Sequence, residues 1–231
     1  MAAPAHAAHT TLDYSGSVTS GAMPIPSGVV AGSTCVVAFG LEWSATAPTS
    51  FAPPASGGTW THVSTLDQTG GDFTRQYIYE YRAAGSESGT WTFTWTNNAF
   101  HTGSAHRITG AASAGSIFDA GFDHEVAASN QTDAPTTQLT TLGDERLVVW
   151  FVLGIGGDAV WTPPSGFTEV FEQTNLSAAW IVQAAAGSTG ALTGSNGTAD
   201  RKIAFLGAVN AGAPVDPGAV PIVVESPRLL S

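Results

Sequence analysis

The sequence predicts an all-β protein, and more narrowly an antiparallel β-sandwich, from two observations. Segments in which apolar and polar residues alternate recur along the 231 residues, whereas no segment of about 12 residues keeps the i, i+3, i+4, i+7 spacing of an amphipathic helix. Gly and Pro account for 27 and 13 residues, which is enough to supply many turns, and 43% of the residues are hydrophobic. A chain of this composition is expected to fold around a substantial core.

Two segments show the alternation of a strand most clearly. The segment TWTFTWT at 90–96 places its aromatic residues on one face and its threonines on the other, and RQYIYEYR at 75–82 alternates tyrosines with other residues. The Gly/Ser-rich stretch AAGSESG at 83–89 lies between them and predicts the connection of an antiparallel pair.

Two further segments, CVVAFGL at 35–41 and LVVWFVL at 147–153, are apolar throughout, which predicts strands that are covered on both faces. The single cysteine, Cys35, lies in the first of these segments and is expected to be a buried thiol. The side chains predicted to point into the core are Trp91, Phe93, Trp95, Val148, Trp150 and Val152.

The chain also contains an internal repeat. Segments of one half resemble segments of the other half in the same order: 31–41 and 142–153, 53–63 and 163–170, and 82–86 and 184–188. Because the order is kept and the offset stays at about 100 to 110 residues, we predict a duplication with copies at about 24–112 and 135–210.

A duplication of this size permits two arrangements, namely two separate small sandwiches or one sandwich in which the halves interleave around a pseudo-twofold axis. We predict one jelly-roll-like sandwich over 11–211. The continuous apolar runs need cover on both faces, and the stretch at 113–141 lacks the composition of a free linker.

The two ends of the chain differ from the middle. Residues 1–10 are rich in Ala and His without a strand pattern and are predicted to be an N-terminal arm, while residues 212–231 form a Pro/Gly-rich C-terminal tail. The tail is apolar for a segment in water, which predicts that it docks on a partner. The residues predicted to make this contact are Ile222, Val223, Val224, Leu229 and Leu230.

Charge and hydropathy argue against several classes of partner. Seven Lys and Arg against 18 Asp and Glu give a net charge of −11, which disfavours binding to nucleic acid or to an anionic membrane surface. No apolar run approaches the roughly 20 residues of a membrane span. Residues 1–15 do not show the pattern of a secretory signal, so the protein is expected to be made in the cytoplasm.

Residues that could carry chemistry form no recognisable site in the sequence. Asp123 and Glu125 would share one face of a strand while His124 points to the other, and His101 and His106 would also point to opposite faces, so neither group predicts a metal site. No G-x-S-x-G elbow and no Gly-rich phosphate loop occurs. We therefore predict no catalytic, cofactor-binding or metal-binding residue, no cofactor, and a protein that is not an enzyme.

A second class of function stays open at this stage. Aromatic residues on one face of a strand can form a flat platform on which sugars stack, and Tyr77, Tyr79 and Tyr81 are the residues that would form it. Burial in the core is the other interpretation of these three side chains, because a shift of one residue in register exchanges the two faces. A carbohydrate-binding module that attaches to a cell-surface glycan is therefore the alternative function.

Several segments together resemble a known family. They are, in chain order, IPSGVVAGSTCVVAF at 25–39, PPSGFTEV at 163–170, AAWIVQAAAGSTGALTGSNGT at 178–198 and IAFLGAV at 203–209. This order resembles a duplicated β-sandwich found in structural proteins of tailed bacteriophages, particularly those of actinobacteria. The resemblance covers about 25–210, and the chain departs from the family pattern at Ser33 and Thr34, where an Asp and an aliphatic residue would stand, and at Phe167, where a Trp would stand.

The resemblance implies a component of a virion and carries no catalytic residues over to this chain. A decoration or minor capsid protein of the head is the first expectation, because the chain is short and has distinct segments at both ends, and a minor tail protein is the second. The resemblance implies, as partners, the major capsid or tail protein of the same virion and further copies of this chain in a homo-oligomer.

The absence of a recognisable site leads to a first prediction, that the purified protein contains no stoichiometric metal and turns over no ester or glycoside. Elemental analysis together with a broad esterase and glycosidase screen measures both. A transition metal at one equivalent, or turnover that a single His→Ala change abolishes, would contradict it.

Overall fold

The computed structural model describes residues 3–212 except 56, 69–72, 128–129, 155–159 and 174. All regular elements of these residues are β-strands, joined in antiparallel sheets as the sequence predicts. The strands of the first half are β1 (Ala5–Pro24), β2 (Thr34–Trp43), β3 (Thr49–Ala52), β4 (Gly58–Gln68), β5 (Phe73–Ala83) and β6 (Thr90–Thr109). Those of the second half are β7 (Phe118–Val126), β8 (Gln131–Asp133), β9 (Thr140–Thr141), β10 (Arg146–Gly154), β11 (Trp161–Thr162), β12 (Thr168–Glu172), β13 (Leu176–Gln183), β14 (Gly187–Ser188), β15 (Ser195–Asp200) and β16 (Lys202–Val209).

The first half is built on one sheet with the strand order β1-β6-β2-β5-β4, which we call the first inner sheet. Its central strand β2 is buried at every position except Glu42, as the continuous apolar run predicts. Both β1 and β6 are 20 residues long and extend beyond the edge of this sheet.

The long strands β1 and β6 bend and form a second layer over the first inner sheet. At the bend Asn97 has a positive φ of 61°, and the register passes from Val18 opposite Ala99 to Ser20 opposite Thr94. Beyond the bend, residues 90–96 of β6 lie between β3 and the end of β1 and form the first outer layer. Phe93 of this layer packs at 5.0 Å, between ring centroids, from Phe39 of β2. The aromatic residues of TWTFTWT are thereby buried in a core between the two layers.

The second half has the same strand connectivity. Its inner sheet has the order β12-β13-β10-β16-β7, and a second outer layer has the order β11-β15-β8. The strands of the second half occupy the same positions in their sheets as the matching strands of the first half. Strand β10 corresponds to β2, β13 corresponds to β5, and β15 followed by β16 corresponds to the long strand β6. The matching strand connectivity of the two halves is what a duplication of one half would produce. The duplication itself stays a prediction.

The two inner sheets pack face to face, and we call this contact the seam. Every second residue of the central strands belongs to it: Val36, Ala38 and Ile78 from the first half, and Leu147, Val149, Phe151 and Phe205 from the second half. The sheets approach closely at Gly40, where an added Cβ would lie 2.5 Å from Cδ1 of Leu153. A larger residue at this position would therefore have to displace the side chain of Leu153.

An ion pair fixes the connection between the two halves. Arg82 of β5 contacts the carboxylate of Glu80 at 2.6 Å, and its guanidinium also donates to the carbonyls of Ala112 and Gly115. Glu80 in turn accepts a hydrogen bond from the backbone N–H of Ile117. The buried Glu80 and the half-buried Arg82 together hold residues 112–117 against the first half and thereby position β7.

The structure corrects three predictions about organisation. Residues 5–10 are not a separate arm, because the backbone from Ala5 pairs with β6 at Thr109 and continues as β1. The stretch 83–89 does not connect an antiparallel pair, because β2 lies between β5 and β6 and the chain crosses here to the outer layer. The halves do not interleave, because each pairs its own strands and has its own core.

The core predictions are confirmed, since the six side chains expected to point inward are all buried. A change of Trp95→Ala is therefore expected to lower the free energy of unfolding by about 3–5 kcal/mol, because it leaves a large cavity and removes the hydrogen bond from Nε1 to the carbonyl of Val18. Equilibrium denaturation measures the effect, with Val30→Ala as the control because Val30 is 50% exposed. A loss below about 1 kcal/mol for Trp95→Ala would contradict the packing described above.

Candidate functional site

The three tyrosines of the predicted sugar platform are buried. Tyr77, Tyr79 and Tyr81 are 6%, 7% and 0% exposed, and the ring of Tyr77 stacks at 4.0 Å on Phe51. The hydroxyl of Tyr81 donates to Glu87 inside the first half. The first outer layer covers this face of β5, which is why the platform does not form. The core interpretation of these residues is the correct one.

Both ends of the described chain lie at one end of the molecule, which we call the terminal end. Ala5 pairs with Thr109, Ala111 forms a bridge with Ala211, and the N–H of Gly212 donates to the carbonyl of Gly110 at 2.7 Å. The predicted docking residues Ile222, Val223, Val224, Leu229 and Leu230 lie outside the described residues. The structure does place the start of the tail, at Gly212, beside the start of β1.

A polar cavity of about 380 Å³ lies at the terminal end, lined by Ala3, Gly143, Asp144, Glu145, Arg146, Ala184 and Ala211. The carboxylate of Asp144 accepts a hydrogen bond from the N–H of Ala186 at 2.8 Å, and Arg146 donates to the carbonyl of Asp144 at 3.0 Å. These contacts fix the loop before β10. Ala3, which precedes β1, and residues of the second half therefore meet in one surface around the two chain ends.

A second cavity, of about 500 Å³, lies at the opposite end, which we call the distal end, where β2 ends and β6 bends. It is lined by Ser17, Glu42, Trp43, Ser44, Ala45, Thr46, Asn97, Asn98 and Phe100, and we call it the distal cleft. The three segments that form it are far apart in the sequence, and none of them carries a motif.

The structure brings together three histidines that the sequence does not connect. His6 and His9 of β1 face His106 of β6, with ring centroids 5.5 to 6.0 Å apart, and Nε2 of His6 lies 3.4 Å from Nδ1 of His106. Burial lowers the pKa of His6 to about 4 and that of His106 well below its usual range, so both are neutral at pH 7. His101 points to the opposite face of the sheet from His106, as predicted.

These histidines form a packed contact at the seam. Within the part of the chain that the structure describes, no group of three or more His, Cys, Asp or Glu side chains has the arrangement of a metal site. The ring of His106 packs at 5.1 Å on Phe151 of the second half, and its Nε2 lies 3.0 Å from the hydroxyl of Ser104. Both ring nitrogens of His106 thereby have polar neighbours.

A serine and a histidine are paired across the seam. The hydroxyl of Ser64 donates to Nδ1 of His124 at 2.8 Å, and Nε2 of His124 donates to Oε1 of Gln76 at 3.0 Å. Burial lowers the pKa of His124 to about 4, which makes it a weak base at neutral pH. The pair has the polarity of a nucleophile and its base, but its energetic role is to satisfy polar groups between the two sheets.

The single thiol is buried as predicted. Cys35 is 0% exposed, and burial raises the pKa of its thiol to about 12, so the group is neutral at pH 7 and is a poor nucleophile.

Comparison of the chain with protein-family models, with curated proteins and with solved structures finds no match. Among the described residues there is no helix that is long and apolar enough to cross a membrane.

The lowered pKa of His124 predicts how stability depends on pH. Below the ordinary value of 6.5 the unfolded chain binds a proton that the folded chain excludes until about pH 4, so the free energy of unfolding falls as the pH is lowered through this window. Between pH 7 and pH 5 this histidine is expected to remove about 1–2 kcal/mol of stability.

Denaturation at a series of pH values tests this on His124→Gln, with His62→Gln as the control because His62 is an exposed histidine on β4. The stability of His124→Gln is expected to fall less steeply than that of the wild type, while His62→Gln follows the wild type. Equal slopes for all three proteins would contradict the assignment.

Proposed function

We propose that this protein is a non-enzymatic structural component of the virion of a tailed bacteriophage, first a decoration or minor capsid protein of the head and second a minor tail protein. The sequence resemblance to structural proteins of tailed bacteriophages supports this proposal. The structural observation that supports the proposal is the terminal end, where Ala3 and Ala211 line the same cavity.

A subunit that is mounted on a shell needs one attachment face. Since Gly212 lies at the terminal end, a docked tail holds this end against the partner and leaves the distal end facing away. Residues near the start of the chain and the polar loop at Asp144–Arg146 then lie close to the same partner surface. The expected partner is the major capsid or tail protein of the same virion, together with further copies of this chain.

The composition of the tail supports this mode of attachment. Burying an aliphatic side chain contributes roughly 1.5–3 kcal/mol, and Ile222, Val223, Val224, Leu229 and Leu230 supply five such side chains. The run at Val223 and Val224 is bounded by Pro221 and Pro227, which suits a short strand added to the edge of a neighbouring sheet, because proline limits further pairing.

The alternative function, a carbohydrate-binding module, cannot use Tyr77, Tyr79 and Tyr81 because they are buried. One observation still favours carbohydrate binding, namely the distal cleft, which combines aromatic and polar side chains.

Removal of residues 213–231 tests the proposed function. The shortened protein is expected to keep the thermal midpoint of the wild type, because the described strands end at Val209, and to lose incorporation into particles. Incorporation is measured by quantitative immunoblotting of purified virions after complementation. A double change of Val223→Asp and Val224→Asp should have the same effect at full length, with Val30→Asp as the surface control. Loading of both tail variants at the wild-type level would contradict the docking role.

A further inference from the structure

We infer that the distal cleft is a binding site for a neutral carbohydrate. The inference rests on the shape of the cleft, on its fixed aromatic side chains and on the chemistry of the groups that line it. Binding of the sugar does not depend on the proposed virion role.

The cleft is held open by a strained bend. Asn97 has a φ of 61°, a conformation that residues other than glycine adopt at a cost, and its Nδ2 donates to the carbonyl of Ala47 at 2.9 Å. This bond fixes the loop 44–47 relative to β6. On the other side, Nε1 of Trp95 donates to the carbonyl of Val18 and fixes the bend of β1. The three walls are therefore set before any ligand binds.

An aromatic ring with a free surface forms part of the cleft. Phe100 is 39% exposed, and its ring stacks on Tyr14 at 5.3 Å with an angle of 10° between the planes. The hydroxyl of Tyr14 donates to the carboxylate of Glu42 at 3.0 Å, which orients that ring. Trp43 is buried behind the cleft, where it stacks on Phe73. Phe100 is thus a fixed, partly exposed apolar surface against which the C–H face of a sugar ring can pack.

The polar groups of the cleft fit hydroxyl groups. Two amides, Asn97 and Asn98, stand with the hydroxyls of Ser17, Ser44 and Thr46 and with the carboxylate of Glu42. Amides and hydroxyls both donate and accept hydrogen bonds, as a sugar hydroxyl does, and a carboxylate accepts from it.

The charges of the cleft decide against anionic ligands. Its lining contains Glu42 and no Lys, Arg or His among the residues that the structure describes, and the whole chain carries a net charge of −11. A nucleotide or a phosphorylated ligand would meet repulsion here. A volume of about 500 Å³ suits a ligand of one or two sugar rings, as it falls in the range of pockets for small molecules.

The cleft lies at the end opposite to the start of the C-terminal tail. If the protein is mounted through its terminal end, the cleft faces outward and can contact glycans of a cell surface; this orientation alone rests on the proposed function.

A glycan array of neutral oligosaccharides, made of glucans, mannans, galactans and β-1,4-linked N-acetylglucosamine oligomers, is the first experiment, followed by calorimetric titration with the best hit. The wild-type chain is expected to bind at least one of these glycans. Phe100→Ala and Asn98→Ala are each expected to weaken this binding by about tenfold. The matched control is Phe122→Ala on β7, since Phe122 is 42% exposed and also stacks on another ring, that of Phe205, away from the cleft.

Circular dichroism and thermal midpoints establish that all variants are folded. No binding of the wild type to any neutral glycan, or equal loss of binding in Phe122→Ala and Phe100→Ala, would overturn the site. The two proposals are distinguished by the Phe100→Ala variant. If it loses glycan binding but is incorporated into particles normally, the result supports the cleft as the binding site. The docking role of the tail is tested separately, by the tail variants.

Discussion

The seam between the two inner sheets is the contact on which the rest of the structure depends. The central strands β2 and β10 are apolar on both faces, so each half has a core on one side and an equally apolar surface on the other. A half on its own would expose Val36, Ala38 and Ile78, or Phe151 and Phe205, to water. Burial of these faces against each other is therefore what makes the two halves one folded unit. Hydrogen bonds link Ser64, His124 and Oε1 of Gln76 within the same contact.

The seam also decides where the ends of the molecule lie. Because Arg82 and Glu80 fix residues 112–117, the second half can face the first with its last strand β16 reaching the same end as the start of β1. The positions of the terminal end and the distal end therefore depend on how the two halves pack, and no local sequence determines them. The molecule consequently has two different ends, with Gly212 at one of them and the cleft at the other.

The sequence predicts the parts of the fold that depend on burial alone. Burial is predicted for the apolar runs of β2 and β10 and for the alternating aromatic residues of β6. The structure buries these residues. It does not predict β1, because a strand of Ala, His, Thr and Ser at a sheet edge has little apolar contrast between its faces. It also does not reveal which layer covers Tyr77, Tyr79 and Tyr81, because β5 is buried on both faces and periodicity then carries no information.

The candidate sites are harder to predict because they depend on where the long strands bend. The aromatic residues of 90–96 must leave the first inner sheet to cover Phe39, and the chain achieves this with the positive φ of Asn97 and the change of register beside Val18. The same two bends separate the backbone segments that line the distal cleft. The bends that bring residues 90–96 over the first core thus also form a cavity at the surface. The polar residues at these bends supply the hydrogen-bonding groups of the proposed binding site.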